Sequence, residues 1–146
     1  GLLLDANVMK LRQATIGVWL KWQGGAAMQP VWSFANGDDV LTLTPADGSQ
    51  RLALHARHQG KITSIIAKTA LPVNTWLHLS VTMDGQKAAI RLNDQLIAEG
   101  RLEAVPFVFA GNASFLAWNG RSGFHGLMDD FRVWSTGEDM VGLKQK

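Results

Sequence analysis

The sequence predicts an all-β domain built as an antiparallel sandwich or barrel. Turn-forming pairs such as Gly24-Gly25, Asp84-Gly85 and Asn119-Gly120 recur about every 8–12 residues, the spacing typical of such folds. Between the turns lie short runs in which apolar and polar residues alternate. No segment longer than a turn or two has helical periodicity, except the tail after Trp134.

Composition is consistent with one domain over residues 1–146. Hydrophobic residues make up 47% of the chain, enough for a core without metal or disulfide support. The formal charge of +2 is far from the clustered basicity of a nucleic-acid-binding protein. Cysteine is absent, so thiol chemistry is excluded, and no apolar run approaches the ~18 residues of a membrane span.

Ten strands are predicted from the alternating runs. The clearest lie on either side of Asp84-Gly85 and Asn93-Asp94, which favour tight hairpin turns because those turns need positive φ. These turns predict a three-stranded meander. The predicted strands cover residues 15–22, 30–35, 39–44, 51–57, 61–67, 76–83, 87–92, 95–101, 114–118 and 126–134.

The last of these strands, Gly126–Trp134, contains two adjacent carboxylates. Strict alternation puts them on opposite faces, with aromatic or β-branched residues on both sides. A strand packed on both sides is therefore expected. The predicted faces are Leu127, Asp129, Phe131 and Val133 against Met128, Asp130, Arg132 and Trp134.

Three parts of the chain resemble laminin-G-like, or concanavalin A-like, lectin/glucanase domains. They are an early strand, TIGVWLK at 15–21, a central meander from NTWLHLSVTMDG at 74–85 to AIRLNDQLIA at 89–98, and the closing strand GLMDDFRVW at 126–134. The resemblance implies a two-sheet antiparallel jelly-roll sandwich. It also implies an accessory module, excised from a larger secreted and often polysaccharide-directed protein, but it does not imply one ligand.

Catalysis by this chain is not expected. Glycosidases need two carboxylates flanking the scissile bond. Glu occurs only at positions 99, 103 and 138, and Asp129 and Asp130 are predicted to point apart. His55 and His58 lack a recognised zinc spacing.

The resemblance implies a structural calcium ion on the closing strand. Asp129 occupies the matching position, and Asp5 is its expected partner. Calcium is held by carboxylate and carbonyl oxygens, and here it would pin the terminal strands together. The alternative is that Asp129 and Asp130 only cap the strand entrance and pair with Arg132 or with a backbone amide.

Sugar rings stack on exposed aromatic faces, so the six Trp must be divided between core and surface. Trp19 and Trp76 match family positions occupied by packing aromatics and are expected in the core. The predicted sugar-binding residues lie at loop mouths, and the alternative for each Trp is that it covers the end of the core. They are Trp22, Trp32, Trp118, Asn119 and Arg121.

A basic strand face formed by Arg51, His55 and Arg57, with Ala53 between them, would suit an acidic polysaccharide or would simply be solvated. The expected function is a non-catalytic, lectin-like module of a secreted or periplasmic carbohydrate-active protein. Its partners would be a glycan or a neighbouring domain, with neither nucleic acid nor membrane insertion. The alternative is a structural module that packs against another domain and has no sugar ligand.

Overall fold

The computed structural model describes most of the chain and contains, within the described residues, twelve strands and no helix. The described ranges are 2–3, 13–25, 29–36, 38–45, 50–102, 114–116, 124–135 and 138–139. The strands are β1 (Leu2–Leu3), β2 (Gln13–Trp22), β3 (Trp32–Asn36), β4 (Asp39–Pro45), β5 (Arg51–His58), β6 (Lys61–Ala70), β7 (Trp76–Asp84), β8 (Lys87–Leu92), β9 (Gln95–Arg101), β10 (Ser114–Leu116), β11 (Gly126–Ser135) and β12 (Glu138–Asp139).

The strands form two six-stranded antiparallel sheets. The first sheet has the order β1-β10-β3-β4-β5-β6, and the second has the order β12-β11-β2-β7-β8-β9. The predicted class, a two-sheet jelly-roll sandwich, is confirmed. Across the described ranges, no helix has the length and apolar character needed to span a membrane.

The core lies between the two sheets because each inner strand points alternate side chains inward. In β2 the buried set includes Ile16, Val18 and Leu20, and in β7 it includes Leu79 and Val81. Each fully buried side chain of this size contributes about 1.5–3 kcal/mol relative to an exposed one. The first sheet supplies the facing residues Phe34, Leu41, Leu43, Leu52 and Leu54.

The ten predicted strands all occur; two have the predicted bounds, and the other eight differ by one to three residues at one end or both. The predicted strand 30–35 starts later, at Trp32, and the predicted 61–67 extends to Ala70. Strand ends shift because a strand lasts as long as a partner strand bonds to it, and partners far along the chain are invisible to local alternation. The short β1 and β12 add one further strand at an edge of each sheet.

The closing strand β11 contains a β-bulge, and the predicted division of its faces is wrong. Asp129 pairs with Trp19 and Arg132 with Gly17, so two residues of β11 oppose one residue of β2. Leu127, before the bulge, is 54% exposed, whereas the side chains of Phe131 and Val133 after it are buried. The extra residue reverses the alternation, so the four residues expected on one face do not share it.

Candidate functional site

Two tryptophans stand on the outer face of the second sheet. Trp19 in β2 is 41% exposed and Trp76 in β7 is 44% exposed. Trp19 pairs with His78 and Lys21 with Trp76, so the two indoles are diagonal neighbours on adjacent strands. Large indole faces open to solvent are unusual on a solvated sheet face and mark this surface as a candidate binding site.

The imidazole of His78 lies beside Trp19. Their ring centroids are 5.2 Å apart at an interplanar angle of 59°. The His78 N–H donates to the Asn93 side-chain oxygen at 2.9 Å, and the Asn93 N–H donates to the His78 carbonyl at 2.8 Å. These two bonds fix the β8–β9 turn against β7, so the turn becomes one wall of the site.

We call the surface formed by Trp19, Trp76, His78, Asn93 and Asp94 the Trp patch. These residues line a shallow, open depression of about 520 Å³. The Asn93 oxygen is occupied by the His78 N–H, which leaves the amide nitrogen with its two donors directed away from that bond. The Asp94 carboxylate supplies acceptors. The patch therefore offers stacking faces together with both kinds of hydrogen-bonding group.

The expected positions of four tryptophans are corrected by the structure. Trp22 and Trp32 are 1% and 0% exposed, so neither presents a ring face to a sugar. Trp19 and Trp76, expected in the core, are the exposed pair. The physical reason is strand phase: Trp22 shares the inward phase of Leu20, whereas Trp19 lies in the outward phase with Lys21.

This correction had a signal in the sequence. The apolar residues of β2 that face inward occupy even positions, from Ala14 to Trp22, and Trp19 falls outside that series. In β7 the inward residues occupy odd positions, from Leu77 to Met83, and Trp76 again falls outside. A Trp at a position that alternates with the polar residues of an amphipathic strand is predicted to be exposed. Here this alternation is a better guide than the resemblance to family positions occupied by packing aromatics.

Buried Gln29 organises the end of the second sheet next to Trp76. Its side-chain oxygen accepts from the Trp22 indole N–H at 3.1 Å and from the His125 N–H at 2.9 Å. Its amide nitrogen donates to the Gly24 carbonyl at 3.3 Å. Gln29 thereby joins the end of β2 to the start of β11 and satisfies the indole of Trp22. Sequence patterns had singled out neither Gln29 nor this network.

The other predicted sugar-binding residues, Trp118, Asn119 and Arg121, lie outside the described residues. Their role stays a prediction.

The fit of the closing strand to calcium is limited to one carboxylate among the described residues. Asp129 is exposed, and its Oδ1 accepts from the Asp130 N–H at 2.8 Å. Asp130 pairs instead with the Arg132 Nε at 2.9 Å. In the described part of the chain, no three His, Cys, Asp or Glu side chains cluster closely enough to hold a metal. Asp5 lies outside that part, so the calcium site stays a prediction.

The outer face of the first sheet carries the basic stripe. Arg51 and Arg57 are exposed, while Ala53 between them is buried. The Arg57 Nε donates to the Asp38 carbonyl at 2.9 Å, and His55 Nδ1 lies 2.6 Å from the Ser64 hydroxyl. Part of the hydrogen-bonding capacity of this stripe is therefore already used within the protein, which makes it a weaker candidate than the Trp patch.

Comparison with known proteins agrees with this architecture. The chain is similar to domain 4 of AbnA, an extracellular arabinanase from Geobacillus stearothermophilus solved with arabinotriose, at 21% identity and a TM-score of 0.70. That match covers 89% of this chain and 63% of the other, so the chain spans less than two thirds of that relative.

Two further structures share the fold at lower identity. The carbohydrate-binding module CBM66 from Bacillus subtilis matches at 17% identity and a TM-score of 0.61, covering 85% of this chain and 76% of the other. The galectin LEC-6 from Caenorhabditis elegans matches at 12% identity and 0.65, covering 91% and 88%. No curated protein sequence matches significantly. A family model described as the concanavalin A-like lectin/glucanases superfamily matches residues 1–137, and the chain belongs to that superfamily.

Proposed function

We propose that this chain is a non-catalytic carbohydrate-binding module whose Trp patch holds a glycan. The observation that carries the proposal is the pair of exposed indoles, Trp19 and Trp76, on one sheet face beside the Asn93–Asp94 turn. Sugar rings present apolar C–H faces that stack on indole, and their hydroxyls bond to amides and carboxylates. A shallow, solvent-open depression on a sheet face, with both features, suits a sugar ligand.

The structural relatives support binding in preference to chemistry. One is solved with a trisaccharide, one is named as a carbohydrate-binding module and one is a galectin. Because the arabinanase is extracellular by name, we also propose that this chain acts outside the cell, next to a catalytic domain of a longer protein. Even a weak site then raises the local concentration of substrate at that partner.

The test is affinity electrophoresis of the chain through gels that contain arabinan, xylan or mixed-linkage β-glucan. Retardation by at least one gel is expected, and Trp19→Ala together with Trp76→Ala should abolish it. Ile62→Ala is the matched control, because Ile62 is 68% exposed on the other sheet. Retardation that persists in the double variant but disappears in Trp118→Ala would move the site to the predicted loop and refute the Trp patch.

A second candidate is a structural module that packs against a neighbouring domain. The observation in its favour is a set of exposed apolar side chains, Ile62, Ile66 and Leu96, on the edge strands β6 and β9. This candidate predicts no retardation in any gel. It also predicts that the amides of β6 and β9 gain hydrogen-exchange protection when the chain is joined to the neighbouring domain that this candidate requires.

A further inference from the structure

The geometry of the Trp patch points to one class of ligand. This inference rests on the proposed function: we infer that the patch binds an uncharged polysaccharide and contacts at least two consecutive sugar units in the interior of the polysaccharide. Three observations lead to this inference: the spacing of the two indoles, the openness of the sheet face, and the charges around it.

The spacing of the indoles requires more than one sugar unit. Trp19 and Trp76 lie on neighbouring strands and are offset by two residues, because Trp76 pairs with Lys21 and Trp19 with His78. Diagonal neighbours of this kind are about 7–8 Å apart at their backbones. One sugar ring covers one indole face, so a ligand that stacks on both must present two units. The line between the indoles runs obliquely across β2 and β7.

The openness of the face favours binding of internal sugar units of a polysaccharide over binding of its terminal unit. On one side the patch is walled by the Asn93–Asp94 turn. On the other side, β11 places Leu127 and Asp129 level with Lys21 and Trp19, and both are exposed. Recognition of a terminal unit needs walls that enclose it, as in a pocket. The described residues instead form a shallow, open depression, and a polysaccharide bound there can extend beyond it in both directions.

The charges favour an uncharged ligand. The carboxylate of Asp94 lines the patch, and that of Asp129 lies beside Trp19 on the β11 side. Trp19 pairs with His78, and Lys21 pairs with Trp76; Lys21 is the cation among these paired residues. In the next row of the same face, Arg132 pairs with Asp130 at 2.9 Å and Arg91 donates to the Thr82 hydroxyl at 3.0 Å, so carboxylates and cations near the patch balance. A balanced surface gives a polyanion no net attraction, whereas sugar hydroxyls donate readily to carboxylates. The exposed Arg51 and Arg57 lie on the opposite sheet.

The experiment is isothermal titration of the intact chain with a ladder of mono- to hexasaccharides made from the gel polysaccharide that retards it most. Affinity should rise at least about tenfold from the mono- to the trisaccharide, and then level off. Each of Trp19→Ala and Trp76→Ala should flatten the rise, whereas Ile62→Ala should leave it intact. Polygalacturonate is the acidic comparison and should retard the chain less than the neutral polymers.

The outcomes separate this inference from the proposed function. If the monosaccharide binds as tightly as the trisaccharide and the double Trp variant binds neither sugar, the proposed sugar site stands. The inference that the patch contacts at least two consecutive sugar units is then wrong. Stronger retardation by polygalacturonate, lost in the same variant, would overturn the uncharged class alone. If no polysaccharide retards the wild-type chain, both the proposed function and this inference fall.

Discussion

At the scale of a residue, the buried Gln29 side chain holds together the end of the second sheet through its hydrogen bonds. Its side chain satisfies the Trp22 indole, the His125 N–H and the Gly24 carbonyl at once. Buried polar groups that lose their partner each cost about 1–3 kcal/mol. The amide is therefore a structural support for the end of the sheet on which Trp76 stands.

Replacing Gln29 with Ala should lower the free energy of unfolding by about 2–4 kcal/mol, because several groups are left unsatisfied at once. Urea unfolding followed by Trp fluorescence measures the change. The control is Gln86→Ala, whose exposed side chain accepts from Arg101 Nη2 at 3.2 Å and whose loss should cost under about 0.5 kcal/mol. Equal effects of the two variants would contradict the structural role of Gln29.

Gly126 lies where β11 meets β2. A Cβ on this residue would overlap the Lys21 carbonyl oxygen and crowd the Phe124 ring. The backbone of a paired strand cannot move aside easily, so Gly126→Ala should destabilise the protein by about 1–3 kcal/mol. Thermal melting should show a fall of about 2–10 °C for a domain of this size. The neighbouring Leu127→Ala, at an exposed position, should melt close to the wild type.

At the scale of an element, the β8–β9 turn combines stability and binding. Asn93 and Asp94 have φ values of 49° and 66°, the left-handed conformation of a two-residue hairpin turn. Gly suits the second position better than Asp because it has no Cβ. The present turn therefore accepts a small strain and keeps a carboxylate at the edge of the Trp patch.

Asp94→Gly should raise stability by up to about 1 kcal/mol while weakening glycan binding, since the strain and the carboxylate disappear together. Thermal melting and affinity electrophoresis measure the two effects separately. The matched control is Asp84→Gly at the end of β7, outside the left-handed region, which should lose about 0.5–1 kcal/mol. A stabilised variant with unchanged retardation would remove Asp94 from the binding site.

The closing strand shows where local pattern reasoning fails. Alternation placed the strand correctly in the chain, and Gly126–Ser135 is close to the predicted 126–134. The bulge between Asp129 and Arg132 then reversed its phase. A bulge depends on the register against β2, more than a hundred residues earlier, and on Asp130 adopting a φ of 51°. Neither is visible in a local pattern of apolar residues.

At the scale of the whole molecule, the calcium hypothesis predicts that metal ties the terminal strands together. Melting in calcium and in EDTA should then differ by several degrees, because a ligand that binds only the folded state raises its stability. Asp129→Asn should abolish the difference while leaving the EDTA melt near that of the wild type. Identical melting in both buffers would remove Asp129 and Asp5 from consideration as ligands.

The sequence by itself determined the fold class, ten of the strands and the meander from β7 to β9. Those features depend on local alternation and on turn pairs such as Asp84-Gly85, which act over a few residues. The Trp positions were also encoded locally, in the phase of β2 and β7, although family likeness pointed the other way. Only the tertiary structure brought Trp19, Trp76 and the Asn93–Asp94 turn to one face. Their meeting depends on pairing between strands that are distant in the chain, and that pairing is decided by the packing of the whole core.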